Sequence, residues 1–125
     1  MQFRKIVFIL ISACLFFQCY GKGGDGSQMS DSERFVLEYP LVGGGNIFVY
    51  RNADETADIL ANGRGIVFIG FKECPWCQLY AVFLHAVALE MEIDTIYYCD
   101  IKEDRESNSE SYRRIVGILS TPSPV

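Results

Sequence analysis

Ile66-Val67-Phe68-Ile69 constrains the fold of this chain more than any other segment. Every position is β-branched or aromatic and apolar, where a strand with one wet face would alternate. A strand that is greasy on both sides must be covered on both sides. That is the condition of a parallel sheet with helices on its faces.

The flanking segments supply the other elements. Ile47-Phe48-Val49-Tyr50 and Thr95-Ile96-Tyr97-Tyr98-Cys99 read as further buried strands. Asn52, with Glu55 three positions on, starts a helix that Asn62-Gly63 ends. Ser30 and Glu33 have capping-box spacing, so structure should begin near Ser30, with a short helix over Phe35 to Tyr39 stopped before Pro40. Gly43-Gly44-Gly45 is a turn, since no Lys-Ser/Thr follows it to hold a phosphate. Between Leu79 and Met91 only His85 and Glu90 are not apolar, which predicts a buried helix. Lys102 to Asn108 reads as a charged loop, and Ser107 with Glu110 as a second capping box. Tyr112, Ile115, Val116 and Leu119 then fall on one helical face. Strands alternating with helices imply right-handed crossovers in an α/β parallel sheet flanked by helices. Chemistry in such sheets lies beyond the carboxyl ends of the strands. Cys74 follows the strand read as central and so falls there.

The front of the chain differs in kind. Arg4 and Lys5 precede an apolar run from Ile6 to Phe17 broken only by Ser12. A basic start and about a dozen apolar residues fit a secretory signal over residues 1–20 and fall short of the ~20 needed to span a bilayer. A buried N-terminal helix or strand is the alternative. Cys14, after Ile11-Ser12-Ala13, and Cys19, just before the glycine tract, are candidate lipidation sites, and cleavage after Gly21 is a third possibility. Residues 21–29, rich in glycine, form a flexible tether, and residues 30–125 form one domain. The expected location is extracytoplasmic, secreted or held at a membrane by the signal or a lipid. Losing Arg4 and Lys5 takes the net charge from −5 to −7, and no basic patch appears, which excludes nucleic-acid binding. One histidine, His85, is too few for a zinc hydrolase.

Cys74-Pro75-Trp76-Cys77 carries the chemistry. Five cysteines in 125 residues give about 0.2 such pairs by chance, so the spacing alone says little. Its position, between a buried strand and a long helix, says more. Pro75 suits the first helical position, whose N–H has no intrahelical partner. Cys74 then lies at the positive end of the helix dipole, where free N–H groups favour the thiolate. Lys72 would help and Glu73 would oppose. Cys77 lies on the same face, within reach of a mixed disulfide, which assigns Cys74 as attacking thiol and Cys77 as resolving thiol. Trp76 offers apolar surface to a substrate chain. A structural disulfide would staple only a short loop. A metal site would need Cys99 and His85 to join the pair; Cys99 reads instead as a buried strand residue and His85 as a helix residue with its ring hydrogen-bonded.

In this context Phe68 to Cys77 resembles the strand and motif of the thioredoxin superfamily, closest to the bacteriocin-transport-accessory type of thioredoxin-like proteins of Gram-positive bacteria. Ile96-Tyr97-Tyr98-Cys99-Asp100 resembles that group's next strand, and the likeness runs from Asn46 to Leu119. It implies thiol–disulfide exchange on cysteine-containing protein substrates, without a cofactor or metal. Two positions depart from the pattern. Phe68 stands where thioredoxins carry a buried aspartate that accepts a proton. Gly117 to Ser123 resembles the approach to the cis-proline loop, which would make Pro122 a substrate-binding residue beside Pro75 and Trp76; a terminal tail is the other reading. The antiparallel strands and last helix of the family have no counterpart in the 125 residues, so the Leu79–Met91 helix should lack part of its cover and show an apolar patch. A non-enzymatic accessory or binding protein of the same fold is the competing expectation.

Overall fold

The computed structural model describes residues 28–122. The expected signal, most of the tether, Cys14 and Cys19 lie outside them. Helix α1 spans Asp31–Glu38, followed by β1 Phe48–Tyr50, α2 Ala53–Asn62, β2 Ile66–Gly70, α3 Pro75–Glu90, β3 Ile96–Asp100, α4 Lys102–Glu106 and α5 Glu110–Ser120. The first two helices start where their caps require. The Ser30 hydroxyl accepts the Glu33 N–H while the Glu33 carboxylate accepts the Ser30 N–H, so α1 begins four residues before Phe35. Asn52 and Glu55 exchange the same pair of bonds at α2.

Among the described residues the sheet has three parallel strands in the order β1-β3-β2, with Phe68 opposite Tyr98 and Gly70 opposite Asp100. The central strand is therefore β3, and β2, read from sequence as central, is an edge. A run apolar on both faces reports cover above and below; it carries no information on lateral neighbours. The outer side of β1 is managed differently: the Asp31 carboxylate of α1 accepts the Tyr50 N–H at 3.0 Å.

Each face of the sheet carries its own core. On one, Phe35 stacks between Tyr39 and Phe48 at centroid distances of 4.4 and 3.9 Å, and Phe68, Ile96, Tyr98, Ala81 and Ala88 complete the cluster. Aromatic pairs of this kind add about 0.5–1.5 kcal/mol each beyond the area they bury. The Tyr39 and Tyr98 hydroxyls, fully buried, satisfy each other at 2.9 Å. On the other face Ala53, Ala57, Cys99, Ile101 and Ile115 pack together.

Several sequence expectations need correction. Only Ala81 and Ala88 of α3 are buried; Leu79, Tyr80, Phe83, Val87 and Leu89 face outward, so the helix is half-covered and its outer side is the expected apolar patch. Lys102 to Asn108 is a loop only at its end: α4 occupies Lys102–Glu106, and Asn108 turns the chain with φ 50°. Ser107 does not start α5 but closes α4 as its C-cap. Its hydroxyl donates back to the Glu103 carbonyl, and the cap of α5 is Ser109, which accepts the Tyr112 N–H at 3.0 Å. In α5 Ile115 is buried with Tyr112 and Ile118 against the core, whereas Val116 and Leu119 are exposed. The inward stripe is rotated because α5 rests on α2, where Ser111 bonds Asp54 and Arg114 pairs with Asp58.

Candidate functional site

Past Gly70 the chain leaves the carboxyl end of β2, makes one turn in which the Cys74 N–H reaches the Phe71 carbonyl at 3.1 Å, and enters α3. Cys74 is the N-cap and Pro75 the first helical residue, as the sequence requires. The Cys77 N–H points at the Cys74 Sγ at 3.4 Å, a sulfur in the place where caps usually carry oxygen. A sulfur receiving helix N–H groups is best matched to those donors when charged. The Cys74 thiol is accordingly held below its ordinary range, first by the Cys77 thiol, then by the Cys77 and Trp76 N–H groups and the positive Arg105. Cys77 is displaced upward, chiefly by burial and also by its neighbour Cys74. The two half-buried sulfurs thus take opposite characters, one favoured as a thiolate and the other as a thiol. Both are free thiols here, as is Cys99.

Cys77 is sheltered because it lies against the end of β2, where only glycine leaves room: a Cβ on Gly70 would stand 3.0 Å from the Cys77 Sγ and 3.2 Å from the Phe68 ring. The loop before the motif is tied to α1 by Gln78, whose side-chain N–H2 donates to the Glu38 and Lys72 carbonyls, both at 2.7 Å. Glu73 does not act as a free anion. It is paired with Lys102 of α4 at 3.1 Å, and this bond holds its carboxyl below the usual range. Sequence reasoning missed Gly70, Gln78, Lys102 and Arg105; the Gly at the strand end was the one local signal, and the others act across elements.

Trp76 is 79% exposed beside the pair. It borders an open groove of about 550 Å3 between the outer side of β2 and α3, lined also by Cys77, Ile69, Leu79, Tyr80 and Phe83. A second groove of similar volume, about 530 Å3, runs along α1 at Met29, Val36 and Leu37. Its only ionisable lining group among the described residues, Glu33, is engaged in the α1 cap, and neither Cys74 nor Cys77 lines it. Pro122 is exposed after α5 and does not line the groove, and no peptide bond among the described residues is cis. Cys99 is buried as expected, but in the core opposite that of Cys77, so the three thiols do not converge. His85 tilts against Phe48, and its Nε2 finds no hydrogen-bond partner, contrary to the expected hydrogen-bonded ring. Among the described residues no three His, Cys, Asp or Glu side chains cluster to hold a metal, and no helix is long and apolar enough to cross a membrane.

Fold and site together define a small α/β protein with a three-stranded parallel sheet and a dithiol at a helix N-terminus. No family model matches the chain, and neither a curated protein nor a solved structure is similar to it.

Proposed function

We propose that the protein is a thioredoxin-like thiol–disulfide oxidoreductase acting on protein substrates outside the cytoplasm, tethered to the membrane by its signal or a lipid. The observation that carries this reading is the Cys74 Sγ at the N-cap of α3, receiving the Cys77 N–H at 3.4 Å with Pro75 next in the chain. In the reducing direction the Cys74 thiolate attacks one sulfur of a substrate disulfide. The Cys74–substrate bond forms and the substrate's other sulfur leaves as a thiolate. Cys77 then loses its proton to water and attacks the Cys74 Sγ. The Cys74–Cys77 disulfide forms, the second substrate thiolate departs, and two electrons have passed from protein to substrate. The reverse sequence oxidises a substrate dithiol. No cofactor or metal takes part. Trp76 and the apolar groove would hold the substrate chain, with Pro75 at the rim. Insulin reduction by wild type, Cys74→Ser and Cys77→Ser tests the reading; a wild type no faster than the double variant refutes it.

Phe68 favours a second reading, an accessory or binding protein of the same fold without turnover. It is buried in the aromatic cluster and leaves no proton acceptor of its own beside Cys77. Cys77→Ser separates the two: an oxidoreductase accumulates a covalent mixed disulfide at Cys74, whereas a binding protein traps nothing covalently.

A further inference from the structure

The short helix α4 occupies a stretch with no apolar pattern, yet it lies against the loop that leads to Cys74 and meets it at two points. The Lys102 ammonium reaches the Glu73 carboxylate at 3.1 Å. The Arg105 guanidinium sits 5.0 Å from the centre of the Phe71 ring, the residue whose carbonyl receives the Cys74 N–H. Arg105 forms no ion pair among the described residues, so its charge is not cancelled by a carboxylate. We propose that α4 is the electrostatic arm of the cysteine motif: Lys102 cancels the adverse charge of Glu73, and Arg105, seated on Phe71, supplies the cation that favours a thiolate at Cys74. This inference rests on the redox reading of the pair but concerns the charge state of one sulfur, which is measurable without any substrate.

The remaining charged groups explain why such an arm is needed. Around the motif stand Cys77 from α3, Lys72 and Glu73 from the loop, Asp100 at the end of β3, and Glu103, Asp104 and Glu106 from α4 itself, with Arg34 of α1 across the cleft. Carboxylates outnumber cations there, in a chain that is acidic overall. The helix dipole and the N-terminal N–H groups act on Cys74 against that background. The planar guanidinium is suited to lie on an aromatic face, an arrangement that an ammonium reproduces less well. Arg105 is thus a positioning residue that works through the field at Cys74. It does not touch the reacting sulfurs.

The test is the pH profile of Cys74 alkylation by iodoacetamide, followed by mass spectrometry on the full chain. Arg105→Gln is expected to shift the profile to higher pH and slow alkylation at neutral pH about threefold, the size of one unpaired charge acting through solvent. Arg105→Lys should recover part of the loss, and the difference between wild type and Arg105→Gln should fade in molar salt. Lys102→Gln should also slow alkylation, and adding Glu73→Gln to it should restore the rate. Thermal melts should stay unchanged, since both cations are on the surface. Superimposable profiles for wild type and Arg105→Gln overturn the proposal, and so does a salt-independent difference. Failure of insulin reduction with the profile shifts intact would refute the oxidoreductase reading and leave the electrostatic arm standing.

Discussion

The Cys77 Sγ rests against Gly70 so closely that a methyl group on the glycine α-carbon would stand 3.0 Å from it. Strand and sulfur fit only because that residue has no side chain. Gly70→Ala must push aside both Cys77 and the Phe68 ring, and overpacking of this kind costs about 1–3 kcal/mol. Urea unfolding should register that loss, and the reduction potential of the Cys74–Cys77 pair should move with it. An unchanged midpoint and potential would show that Cys77 is free to give way.

The two thiols should titrate in a fixed order. Cys74 is lowered by hydrogen bonds from Cys77, and Cys77 is raised by burial. A lowered thiol has more thiolate at a given pH, so of the pair alkylation near neutrality should label Cys74 first, with Cys77 following only at alkaline pH. The same asymmetry stabilises the dithiol form, because the reduced pair holds a favoured anion that the disulfide lacks; the pair should be more oxidising than an unperturbed dithiol. Peptide mapping of the singly labelled species checks the order, and first labelling at Cys77 would contradict it.

Tyr39 and Tyr98 offer a double-mutant cycle. Either Tyr→Phe change strands the partner's buried hydroxyl and should cost about 1–3 kcal/mol. Removing both hydroxyls leaves no orphan, so the double variant should be close to the wild type or to the milder single change. Additive losses in the unfolding midpoints would mean that water already serves these hydroxyls.

The two sides of α3 should respond oppositely to substitution. Phe83 is 68% exposed, so Phe83→Ser is expected to change stability by no more than about 0.5 kcal/mol while reducing binding of a hydrophobic dye. Ala81 is fully buried under the aromatic cluster, and Ala81→Leu should cost about 1–3 kcal/mol or more. Equal effects at the two positions would mean that the outer side of α3 is covered in solution.

What the sequence disclosed follows from the range of the forces involved. Caps act within three residues, so Ser30, Asn52 and the Cys74-Pro75 start could be read directly, as could the apolar strands. Ser109 was displaced by Ser107 because two serines compete for one cap and only the three-dimensional path, which sends Ser107 back to Glu103, decides between them. Helix α4 escaped because five charged residues carry no periodicity. Strand order escaped for a different reason: Phe68 has the same neighbours along the chain whether β2 is central or lateral. The outward face of α3 was hidden by a sequence apolar nearly all round, in which Glu90 alone, at the last turn, is a charged residue on the wet side. In the site, the pair itself was legible, while Gln78, Lys102 and Arg105 contribute through partners 29 to 40 residues away, as the Lys102–Glu73 and Gln78–Glu38 bonds show.

The position of β2 has one more consequence. Its outer backbone N–H and C=O groups meet no further strand among the described residues, and the groove with Trp76 and Cys77 opens on that same flank. A polypeptide that laid itself there as a fourth ribbon would run past Cys77, which lines the same groove. Under the proposed oxidoreductase reading, recognition and electron exchange would then share a single frontier.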